Sequence, residues 1–167
     1  MRRRLPLVLL TAVLAASAAP AAAAPPERFK LEPAGAFTLT GLCDFEVEME
    51  DVRVHGNSIV FFDKDGVETR TILNGNFVSR LTNLETGKSL LLNISGQFTF
   101  TSNPDGSFTL TAHGRNLFFT GDPEPFLVFH GGRAVLRATF TEETFELVFV
   151  ETSGTSTDMC AVLGGPA

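Results

Sequence analysis

The sequence predicts an all-β domain: an antiparallel meander of about 8–10 strands closed into a single β-barrel, with a β-sandwich as the alternative. Three observations predict it. Apolar and polar residues alternate with period two through most of the chain after residue 43. Short Gly-bearing turn signals recur roughly every 10 to 15 residues, leaving no gap long enough for a βαβ crossover. The two cysteines, Cys43 and Cys160, flank the alternating region.

Residues 1–24 stand apart from the fold. Met1-Arg2-Arg3-Arg4 is basic, Leu5 to Leu14 is apolar, and small residues follow at Ala16-Ser17-Ala18 and Ala21-Ala22-Ala23. This is the layout of a secretory signal peptide. The apolar run is about half the roughly 20 residues a spanning helix needs. Pro25 disfavours cleavage directly after Ala24, and the cleavage position stays open. Residues 25–42 read as an N-terminal extension, 43–163 as the β-barrel domain and 164–167 as a tail. No later segment is apolar enough to span a membrane, so a secreted, extracellular protein is expected.

Strands are expected near 45–54, 58–63, 67–73, 76–83, 89–102, 107–113, 117–120, 126–130, 133–140 and 145–152. In the first, Phe45, Val47 and Met49 alternate with Glu46, Glu48 and Glu50, and Val52 and Val54 continue on the opposite parity. A bulge near Glu50-Asp51 accounts for the switch. From Leu90 to Phe100 one face carries Leu90, Leu92, Ile94, Phe98 and Phe100, with Gly96 marking a bend. Phe108, Leu110 and Ala112, and then Ala134, Leu136, Ala138 and Phe140, repeat the pattern. Asp63–Gly66, Asn74-Gly75, Glu85–Lys88 and Asn103–Gly106 are read as hairpin connections. Thr141–Thr144 is a further hairpin without Gly. Residues 158–163 form one helical turn capped by Asp158.

Phe126–Phe129 and Phe145–Val150 carry apolar residues on both parities, as strands covered on both faces do. The cover expected is the Phe29–Leu39 segment or the C-terminal turn. The other possibility is an outer apolar patch that meets a partner.

Charge and cysteine content bound the function. Removal of the leader leaves ten Lys and Arg against nineteen Asp and Glu, a net charge near −9. That balance repels phosphate backbones, so no nucleic acid partner is expected. An even pair of cysteines in an exported chain predicts a Cys43–Cys160 disulfide.

Few residues carry chemistry. His55, His113 and His130 fall near strand ends, where a rim metal site is geometrically conceivable, but exposed or loop-packing histidines explain them without a metal. Glu46, Glu48 and Glu50 read as a solvated strand face rather than a calcium site. No nucleophile elbow, phosphate loop, zinc helix or Cys pair with metal spacing is present, so no catalytic residue, metal or cofactor is assigned.

Cys43-Asp44-Phe45, the hairpin Leu81-Thr82-Asn83-Leu84-Glu85-Thr86-Gly87-Lys88-Ser89, Asn103-Pro104-Asp105-Gly106-Ser107 and Asp158-Met159-Cys160-Ala161 resemble small exported proteins of high-GC Gram-positive bacteria. The resemblance implies a secreted β-barrel and no reaction. At the level of architecture alone the chain is similar to lipocalin-like barrels and to the barrel of allene oxide cyclases and dirigent proteins.

The leading expectation is a barrel that binds an apolar or amphipathic small molecule without transforming it. Its wall would be Leu90, Leu92, Ile94, Phe98, Phe100, Phe108, Leu110 and Leu136, with Thr71 and Ser79 as orienting polar groups. The alternatives are a cell-surface interaction or structural module using strands 126–129 and 145–150, and a barrel-type cyclase or isomerase using Glu68 or Arg70. The oligomeric state is not fixed by the sequence.

Overall fold

A computed structural model describes residues 25–121, 124–140 and 145–165. The expected leader and the expected Thr141–Thr144 hairpin lie outside the described residues. Nine strands form one antiparallel sheet: β1 (Glu27–Lys30), β2 (Ala36–Leu39), β3 (Val47–Phe62), β4 (Glu68–Asn83), β5 (Ser89–Asn93), β6 (Gly96–Ser102), β7 (Phe108–Thr120), β8 (Phe126–Phe140) and β9 (Phe145–Asp158). A short helix, α1 (Met159–Gly164), follows, its first amides capped by the Asp158 carboxylate.

The sheet is a meander of seven lanes. β1 and β2, both within the 25–42 segment, share one edge of β3. β3 pairs with β4, and β5 and β6 divide the far edge of β4 between them. β6, β7, β8 and β9 then follow in order.

The expected barrel does not close. β9 is not hydrogen-bonded to β1 or β2, so the sheet stays open at a seam. Sulfur and the helix span that seam instead. Cys43 and Cys160 form a disulfide with their Cα atoms 5.4 Å apart. Met159 and Leu163 of α1 are buried against Leu39, Val47 and Leu81.

Several expected short strands are halves of long ones, for one reason. Gly56 faces Gly75, Gly96 faces Gly114, Gly114 faces Gly132, and Gly132 faces Gly154. The β4–β6 register, carried one step beyond Asn74 and Gln97, sets Gly75 opposite Gly96. Six glycines therefore cross the sheet in one lateral row. Asn74-Gly75, expected as a hairpin turn, sits inside β4 on this row. Without side chains the strands approach and bend where a pleated surface would resist. A Cβ on Gly132 would lie 2.1 Å from the Ser153 carbonyl oxygen. The turns at Gly66, Gly87 and Gly106 are as expected, each with positive φ. So is the bulge, a register shift between Asp51 and Arg53.

The bend divides the core in two. One cluster joins Leu39, Val47, Met49 and Leu81 to Leu117, Leu127, Met159 and Leu163. The other joins Leu110, Ala112, Phe118, Ala134, Leu136, Ala138 and Leu147. The β7–β8 limb beyond the glycines, residues 115–120 and 126–131, lies between them. Leu117 and Leu127 face the first cluster, while Phe118 and Phe126 face the second. This explains the apolar residues on both parities of Phe126–Phe129. In β9 only one face is covered: Leu147 is buried, and Val148 and Val150 are exposed. Among the described residues no helix is long and apolar enough to cross a membrane.

Candidate functional site

The second cluster leaves a half-open trough of about 210 Å³, walled chiefly by Phe98, Phe100, Leu110, Phe118, Ala138 and Leu147. Its residues come from β6, β7, β8 and β9, mostly from the parity that turns to the inside of the bend, with Leu117 and Phe119 of the other β7 face also lining it. Phe98 faces Ala112 and Phe100 faces Leu110 across β6–β7, and Leu110 faces Leu136 across β7–β8. Phe118 reaches back from the folded limb and packs edge-on against Phe98 and Phe149, at ring centroid distances of 6.0 and 5.4 Å. Such edge-to-face pairs add to the stabilisation from burial alone.

A polar row lies behind Phe118. Asn116, two residues earlier on the same strand face, is wholly buried, and neither its Oδ1 nor its Nδ2 has a hydrogen-bond partner among the described residues. Its Oδ1 points at Gly96, where a Cβ would stand 2.8 Å away. His130 faces Asn116 across β7–β8, and Ser156 faces His130 across β8–β9. His130 is buried, with Nδ1 2.8 Å from Ser156 Oγ and Nε2 3.3 Å from the Arg133 carbonyl oxygen. A carbonyl can only accept, so in the neutral ring Nε2 carries the proton and Nδ1 accepts from the serine. Both ring nitrogens are thereby engaged.

The expected wall residues divide between the two cores. Phe98, Phe100 and Leu110 line the trough, with Phe108 and Leu136 packed in the same cluster. Leu90, Leu92 and Ile94 pack into the other core, because β5 pairs β4 but leaves β7 at the bend. The two expected polar orienters are engaged elsewhere. The Thr71 hydroxyl donates to Glu68, and the Ser79 hydroxyl donates to Asp51 Oδ1 at 3.3 Å. Asn116, Phe118, Ala138 and Leu147 were not among the expected wall or orienting residues, although Ala138 stood in the strand alternation. The available signal was Asn116 on the same parity as Leu110 and Ala112.

Other candidates stay separate. His55 and His113 are exposed and His130 is buried, and no group of three metal-ligating side chains occurs among the described residues. Glu50 pairs with Arg80 at 2.5 Å on the outer face. Arg70 lies over the Phe61 ring at 4.1 Å, and both it and Glu68 are exposed. Exposed turn carboxylates are perturbed at one end of the sheet. Asp63 is held below its ordinary value chiefly by the Val67 amide, and Asp105 chiefly by the Ser107 hydroxyl.

Comparison with family models, curated proteins and solved structures finds no match.

Proposed function

We propose that this chain is an exported, disulfide-braced β-protein that holds an apolar or amphipathic small molecule in the Phe-lined trough without transforming it. The observation that carries the reading is the trough itself, an apolar concavity of about 210 Å³ walled by Phe98, Phe100, Leu110, Phe118, Ala138 and Leu147. Ligand sites are typically concave and apolar with a few polar groups nearby. A dry apolar cavity of about 150 Å³ suffices to bind benzene. The trough therefore suits one ring with a short chain, and is too small for a helix or a peptide strand. Export is supported by the basic and apolar leader, and the disulfide is compatible with an oxidising compartment.

The test is calorimetric titration with butylbenzene, beside the variant Ala138→Leu. Ala138 is buried in the trough wall, so the added isobutyl group occupies the space a ligand would take. The wild-type protein should bind one equivalent and the variant none, with both folded by urea denaturation. Absence of binding to wild type, or equal binding to both, overturns the reading.

A second reading, a cell-surface interaction module, draws on Val148 and Val150, which are 49% and 67% exposed on the outer face of β9. Sedimentation showing a monomer at all concentrations would remove self-association from that reading. For the cyclase reading, exposed Arg70 and Glu68 supply no inward acid or base.

A further inference from the structure

We infer that the Asn116 carboxamide is the polar end of the trough and selects uncharged amphiphiles, an apolar body carrying one head that both donates and accepts hydrogen bonds, such as a primary amide. The inference rests on the trough reading above and adds the chemistry of the head group. Four observations carry it. Asn116 is wholly buried, and both amide atoms lack partners among the described residues. Buried polar side chains are nearly always hydrogen-bonded, so such a group calls for an explanation.

Asn116 is also the side chain next to Phe118 on the same face of β7. Phe118 lines the trough and Asn116 does not, so a ligand reaches the amide only by displacing that ring. The neighbours cannot meet the need themselves. His130 spends both nitrogens on Ser156 and the Arg133 carbonyl, and the other flank is Gly96. A buried water usually requires two to four polar partners, and here Asn116 would be its main one. Finally, among the described residues no arginine serves the site. Arg133 is committed to Glu151 at 2.7 Å, and Arg115 is exposed. A carboxylate head would be desolvated without a counter-charge, which disfavours it strongly. A carboxamide or similar neutral head matches the Asn116 amide donor for acceptor.

The test compares butylbenzene, 4-phenylbutanamide and 4-phenylbutanoate by calorimetry on the wild-type protein and on Asn116→Leu, which keeps the heavy-atom count and branching and removes the amide. Phenylbutanamide should bind wild type about tenfold more tightly than the variant, the gain of a neutral hydrogen-bonded pair. Butylbenzene should bind both alike, and phenylbutanoate should gain nothing from Asn116. Equal affinity of phenylbutanamide for both proteins, with butylbenzene still bound, overturns the head-group assignment and leaves the trough reading intact. Failure of butylbenzene to bind either protein overturns both. If Asn116→Leu does not fold, Asn116→Ser removes the carboxamide and is held to the same outcomes.

Discussion

Replacing Gly132 by Ala isolates the physical cause of the bend. Gly132 has φ +145°, a conformation that residues with a side chain rarely adopt. Holding one there costs about 1–3 kcal/mol. The new Cβ would also stand 2.1 Å from the Ser153 carbonyl oxygen, inside van der Waals contact by more than an ångström. That neighbour is backbone of the adjoining strand, so relief requires β9 to move. Overpacking of this kind costs about 1–3 kcal/mol more, for a total loss near 4 kcal/mol. The next residue is the control. A Cβ on Gly131 would meet only Thr155 Oγ1, at 3.7 Å, an ordinary contact. Gly131→Ala should be neutral, or stabilise by about 0.4–1 kcal/mol through the unfolded chain. Urea denaturation with the disulfide intact reads the difference. With a denaturant slope of about 2 kcal/mol per molar, Gly132→Ala should lower the midpoint by about 2 M while Gly131→Ala holds or raises it. Equal midpoints with equal slopes would refute the argument that the glycine row is what lets the sheet fold over.

Other outcomes follow from the same structure. Replacing Cys43 and Cys160 together by Ser frees a loop spanning 117 positions. The chain-entropy model then gives a loss of about 4–5 kcal/mol, accompanied by a steeper denaturant slope from the more expanded unfolded chain. Phe118→Ala removes a side chain only 3% exposed. It should cost about 3–5 kcal/mol and, by enlarging the trough, let hexylbenzene raise the melting temperature more than butylbenzene does. Carboxyl NMR titration of Asp63 and Asp105 should give midpoints below 3.8. Because their folded-state values are lowered, whatever stability they contribute is present above the ordinary carboxylate value and fades as pH falls through the lowered one. Asp105→Asn should remove its share of that acid dependence.

Strand parity was legible residue by residue, since half-buried glutamates alternating with buried Val47 and Met49 leave a local trace at Val47–Glu50. Turn chemistry was legible where Asp or Asn accepts backbone amides, as Asp63 does from Asp65 and Val67. Asn74-Gly75 carries the same local signal yet lies within a strand, because the deciding fact is Gly56 across the sheet, a partner remote in sequence. Closure was equally out of reach. Paired ends fit a barrel or a seam braced by a helix, and only lateral register separates the two. For the site, Phe98, Phe100 and Leu110 followed from parity. Leu90, Leu92 and Ile94 share that parity but depart at the bend, and parity carries no record of bending. Thr71 and Ser79 follow from polarity on the wall-facing parity, whereas their partners, Glu68 and Asp51, are fixed by folding.

The β7–β8 limb, covered on both sides, acts as a party wall between two rooms. Displacing Phe118 on one side pushes on the backbone that holds Leu117 and Leu127 on the other, and so on the packing beneath the sulfur-braced gap. A guest entering by the aromatic side would therefore press toward the opposite wall, which the Cys43–Cys160 bond braces.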